Sequence, residues 1–219
     1  GGTGRPGRRA AAALLTFLSP VFGIDTSIAY IDAGTAAIVF ATFYWLQIWD
    51  SEREIDHQAW RLLVPAGLMA GYAFAAKFTA FPIGLYALGF VAWRGRRWRP
   101  VALVAVCGLL MAGPWVARNW IVYQNPMAPL GTAIFRNPYT HVIFEQEYSK
   151  FLRAYGVMDR MQLPLEVTLR GTLTQGIIGP VFLLLPLGLF ALRKRVGRQM
   201  WVLALLLTST YFANVGTRF

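Results

Sequence analysis

Of the 219 residues, 56% are hydrophobic and only 14% charged, and the mean hydropathy is +0.46. A chain of this length ordinarily makes one or two soluble domains, and the composition argues strongly against a soluble fold. The net charge of +11 would point to nucleic acid in a soluble protein, but the basic residues sit in short clusters between apolar runs, the distribution of a membrane protein with no nucleic-acid partner.

The chain opens at Gly1 and stops at Phe219 directly after an apolar run, which reads as a piece of a longer protein. Arg5, Arg8 and Arg9 precede an apolar stretch, as in a signal peptide, but a signal peptide leads into a polar mature domain and here more apolar sequence follows. Seven apolar runs stand at about 10–22, 29–49, 62–76, 78–93, 101–117, 176–192 and 200–216. They predict an all-α polytopic membrane bundle of about seven transmembrane helices. One helix over 62–93 would reach about 48 Å, too long for a bilayer core of about 30 Å. Two short helices meeting near Lys77-Phe78-Thr79-Ala80-Phe81-Pro82 fit better. Arg53 and Arg61 before this hairpin and Arg94, Arg96, Arg97 and Arg99 after it then share one side.

Alternation places those clusters in the cytoplasm with Arg5, Arg8, Arg9, Arg193, Lys194, Arg195 and Arg198. The predicted organisation is helices one to five in 1–118, an outer loop in 119–175, and helices six and seven in 176–219. The first outer loop, 19–34, holds Asp25 and Asp32 and no Lys or Arg. In the long loop, Asn125-Pro126 and Asn137-Pro138 mark turns, and 144–155 has the spacing of a short helix at the membrane surface.

Charged groups beside apolar runs cost about 2.5–3.5 kcal/mol on insertion scales, so each calls for an explanation. Asp32, with Asp25 seven residues earlier, could place carboxylates at a reaction centre; the alternative is a helix-start carboxylate favoured by the macrodipole. Lys77 lies at the outward tip of the hairpin, and Arg118 and Arg218 are at the same predicted depth. Lys77 can snorkel as an anchor or pair with an anionic ligand of the outer leaflet, Arg118 or Arg218 alone is an interfacial anchor, and three cations together suit a phosphate. Glu145 and Glu147 read as a solvated face. His57 and His141 fall on opposite sides and the lone Cys107 sits in an apolar run, so neither a His- nor a Cys-built metal site is expected.

Five segments in order carry a resemblance. SPVFGIDTSIAYIDAGTAAIVFAT, GLMAGYAFAAKFTAFPIG, PWVARNWIVYQNPMAPLG, TLTQGIIGPVFLLLPLGLFALRKR and STYFANVGTRF together resemble the lipid-carrier-dependent glycosyltransferases of the GT-C superfamily. That class includes protein O-mannosyltransferases and the aminoarabinose transferases of lipid A. Ala76, Tyr123-Gln124 and Phe219 depart from the common pattern. The resemblance implies transfer of a sugar from a polyprenyl-phosphate donor to an acceptor lipid, glycan or protein at the outer face of a bacterial inner membrane. It implies that Lys77, Arg118 and Arg218 hold the donor phosphate, and that Asp32, with Asp25 in a weaker role, orients the acceptor or binds a divalent metal ion. It further implies that the catalytic base lies on a loop preceding these residues. A transporter or flippase of lipid-linked substrates would instead carry charge at mid-membrane and internal repeats. A non-catalytic assembly subunit is the third class.

Overall fold

A computed structural model of the chain describes residues 4–27, 31–135, 143–154, 160–162, 165–171, 177 and 179–214. Helix α3 (Asp32–Glu52) and the hairpin of α4 (Leu63–Ala76) and α5 (Pro82–Gly95) form the centre of the bundle, with α6 (Trp98–Tyr123) packed against α4. As the charge pattern predicts, 62–93 is two helices. Lys77 leaves the helical region at φ −149°, a 3-10 turn follows at Phe78–Ala80, and Pro82 opens α5 at a position where its missing N–H costs nothing. The core joins Phe43, Leu46 and Trp49 of α3 to Leu63, Ala66 and Ala70 of α4, Ile83, Ala87 and Val91 of α5, and Leu203 of α8 (Arg195–Asn214).

Small residues let α4 and α6 approach closely. A Cβ on Gly67 would lie 2.7 Å from Cys107 Cβ, and one on Gly71 would lie 2.1 Å from the carbonyl oxygen of Gly108. Lipid tails are as apolar as side chains, so close backbone packing of this kind is what holds membrane helices together. Gly71→Ala is therefore expected to destabilise the bundle by about 1–3 kcal/mol, because the clash is with backbone that cannot rotate away. Gly84→Ala is the control, since a Cβ there meets nothing within 4 Å. Equal unfolding midpoints for the two variants in detergent would refute the close-packing account.

Several predicted boundaries shift. The first apolar run, 10–22, is divided between α1 (Gly4–Phe17) and α2 (Pro20–Ser27). Pro20 has no N–H to donate and disfavours helix in the residue before it, so α1 ends ahead of Ser19. A helix thus occupies part of the segment read as the first outer loop. Helix α6 continues beyond 118 to Tyr123, where Gln124 adopts a left-handed conformation (φ 54°) and ends it. The loop helix is present as α7 (Phe144–Ala154). The run 176–192 is not an α-helix over its described length: Pro180–Arg193 winds as a 3-10 helix containing Pro186. Proline obstructs the α-type ladder, and the tighter winding has a rise of about 2.0 Å per residue, giving a length of about 28 Å.

All described secondary structure is helical. Two helical stretches, Ala59–Ala76 and Trp98–Tyr123, are long and apolar enough to cross a membrane. In the second only 11% of the apolar window is buried, so its Leu109, Leu110 and Ile121 face outward. Such a surface belongs against lipid. The basic end of the bundle is ringed by arginines stacked on tryptophans: Arg53 on Trp49, Arg61 on Trp60, Arg94 on Trp93 and Arg99 on Trp98, all within 5.9 Å. Trp and Arg side by side are characteristic of the membrane–water interface.

Candidate functional site

Asp32 is the first residue of α3, where its charge is favoured by the helix dipole, and the N-cap residue before it, Ile31, makes no side-chain capping hydrogen bond. Asp32 Oδ1 accepts a charged hydrogen bond from Lys77 Nζ. The two residues are 45 apart in sequence and meet because α3 and the α4–α5 hairpin pack side by side. The turn at Phe78–Ala80 fixes the lysine: Lys77 N–H donates to Ala73 O, closing α4, and Ala80 N–H donates to Lys77 O. Both side chains remain partly open to solvent, 48% for Asp32 and 35% for Lys77.

The pair sits on the edge of a cavity of about 380 Å³. Its walls are Val39, Phe40 and Phe43 from α3 and Met200, Leu203 and Leu207 from α8, with Thr35, Thr79 and Ala80 beside the charges. Thr35 is buried, and its hydroxyl donates to Ile31 O at 2.9 Å, so the polar lining is confined to one end. An apolar cavity with one ion pair at its rim suits a ligand that is ionic at one end and hydrocarbon at the other.

The other predicted residues are not gathered there. Arg118 is exposed at the far part of α6, lying over Trp115 at 5.2 Å and Tyr123 at 5.8 Å, and does not line this cavity. A second apolar cavity is lined by Phe74 of α4, by Phe78 and Phe81 after Lys77, and by Val116 and Met127, and Arg118 is not part of its lining either. Arg218 and His141 lie outside the described residues, and Asp25 is on α2 with its side chain outside the described part. The donor set at the rim does not fit a divalent cation: Asp32 is its single described carboxylate and already neutralises an ammonium. No cluster of three His, Cys, Asp or Glu occurs among the described residues.

Residues 5–119 match a family model described as dolichyl-phosphate-mannose-protein mannosyltransferase. The chain belongs to this family. No curated protein and no solved structure matches it. The matched segment contains α1 to most of α6, and so Asp32, Lys77 and Arg118. Membership in the mannosyltransferase family makes the chain a membrane glycosyltransferase of GT-C type, whose sugar donor is lipid-linked.

At the opposite end of α3 the structure of this family member holds a constellation that sequence reading did not single out. Asp50, with a side chain 6% exposed, receives hydrogen bonds from Arg53 Nε at 2.9 Å and Arg94 Nε at 2.7 Å, and pairs with Arg195. Arg53 also donates to Arg94 O at 2.8 Å. One carboxylate thereby ties α3, α5 and α8 together. The signal in the sequence was an acid directly after an apolar run and amid clustered arginines, a position where a solvated helix end is the ordinary reading.

Proposed function

We propose that the chain is part of an integral-membrane glycosyltransferase that moves a sugar from a polyprenyl-phosphate donor to an acceptor at the outer face. Supporting this reading is the placement of the Asp32–Lys77 pair at the rim of an apolar cavity within the family-matched segment. In it, Lys77 binds the donor phosphate and neutralises the charge that develops there as the sugar–phosphate bond breaks. Phosphate competes with Asp32 for the ammonium, so donor binding frees the carboxylate to orient the acceptor hydroxyl. The cavity wall of Val39, Phe40, Leu203 and Leu207 takes the first prenyl units. Arg118 and Arg218 remain further donor-phosphate ligands in this reading on the family resemblance alone. In this reading the chain crosses about seven times, with the Asp32–Lys77 rim outside and the arginine clusters in the cytoplasm, as the charge bias favours.

The test is donor affinity in the full-length protein. Lys77→Ala is expected to weaken binding of the polyprenyl-phosphate sugar by about 1.5–3 kcal/mol, the range for a charge-assisted hydrogen bond. Lys77→Arg should retain much of it. Unchanged donor binding and turnover in Lys77→Ala would reduce Lys77 to an interfacial anchor.

A further inference from the structure

Asp32 and Asp50 lie at opposite ends of α3, so at 1.5 Å per residue about 27 Å separates them, close to the thickness of a bilayer core. The Asp50 cluster is therefore at the other interface from the Asp32–Lys77 pair, among the stacked Arg–Trp pairs. Beside it a cavity of about 680 Å³ opens between α5 and α8. One end carries Arg94, Arg195 and Arg198, and the rest is apolar, formed by Phe90, Trp93 and Val202 among others.

Two features of this cavity call for a ligand. Gln199 lines it, is only 6% exposed, and among the described residues has no hydrogen-bond partner for either its Nε2 or its Oε1. Buried amides are nearly always satisfied, so an acceptor oxygen belongs opposite Nε2. The positive charge is also in excess: Arg53, Arg94 and Arg195 share the carboxylate of Asp50, the exposed Glu54 answers only Arg53, and Arg198 is in no ion pair among the described residues. A free phosphate would answer the cations and leave the apolar walls bare. A neutral acyl chain would do the reverse.

We propose that this cavity binds an anionic phospholipid, its phosphate held by Arg198, Arg195 and the Gln199 amide and its acyl chain lying between α5 and α8. Basic pockets between helices at a membrane interface recognise such headgroups, and the cytoplasmic leaflet is the one rich in anionic lipid. The site is separate from the sugar-transfer site and does not depend on it.

Purified full-length protein in neutral detergent is titrated with phosphatidylglycerol, phosphatidylcholine and glycerol phosphate, and bound lipid is counted by native mass spectrometry. Phosphatidylglycerol is expected to bind, with Arg198→Gln weakening it by about tenfold or more. Gly89→Leu should weaken it similarly by filling the cavity, because Gly89 lines it and a Cβ there meets nothing within 4 Å. Arg99→Gln, at the same end but stacked on Trp98 outside the cavity, should leave binding unchanged. Equal binding of phosphatidylcholine would overturn the proposal, as would displacement of the lipid by glycerol phosphate, retention in both cavity variants, or an equal loss in Arg99→Gln.

Discussion

Asp50→Ala is expected to destabilise the bundle by about 3–5 kcal/mol, the range for removing one partner of a buried ion pair. The carboxylate is 6% exposed and is the common acceptor for three guanidinium groups, one just past the end of α3 and the others on α5 and α8. Its removal leaves Arg53 and Arg94, each 21% exposed, facing one another without an anion between them. Glu54 cannot take over, because it is 75% exposed and engages only Arg53. Asp50→Asn keeps the shape but not the charge, so it should lose most of the same stability. Arg195→Gln should cost much less, since that side chain is 49% exposed and water replaces its contact readily. Reversible unfolding in mixed micelles measures all three. A loss under about 1 kcal/mol for Asp50→Ala would place the cluster among solvated surface pairs.

The same cluster shows where sequence reading reaches its limit. Asp50 finds Arg53 three residues away, but Arg94 is 44 away and Arg195 is 145 away, separations that no local period encodes. The hairpin break at Lys77 was legible because proline, a cation and the length limit of the bilayer coincide in six residues. Asp32 and Lys77 were each legible as charges expensive in lipid, but their partnership depends on α3 packing beside α4 and α5. The divisions at Pro20 and across Pro180–Arg193 went unread for a different reason: apolar residues continue through the prolines, and a run scored by hydropathy does not register a missing N–H. Arg118 matched a family segment, yet the rings of Trp115 and Tyr123 that occupy it come from its own helix and were legible in principle at i−3 and i+5.

Asp32→Asn separates a reacting carboxylate from a merely electrostatic one. If Asp32 arranges the acceptor, the substitution keeps its size, removes its charge, and should lower sugar transfer by about 10²–10³-fold, a few kcal/mol of transition-state stabilisation. The fold should survive, because a half-exposed ion pair is worth about 0–1 kcal/mol. Donor binding should hold or tighten, since Lys77 no longer has an internal anion competing with the phosphate. That combination, tighter or equal binding with collapsed turnover, is not produced by a structural role. Were Asp32 only the resting partner of Lys77, the Asn variant would bind donor more tightly and transfer at the full rate. The assay follows transfer from a radiolabelled lipid donor in membranes at matched expression of the full-length protein, with donor affinity measured on the same preparations, and a fully active Asn variant would confine Asp32 to holding the lysine.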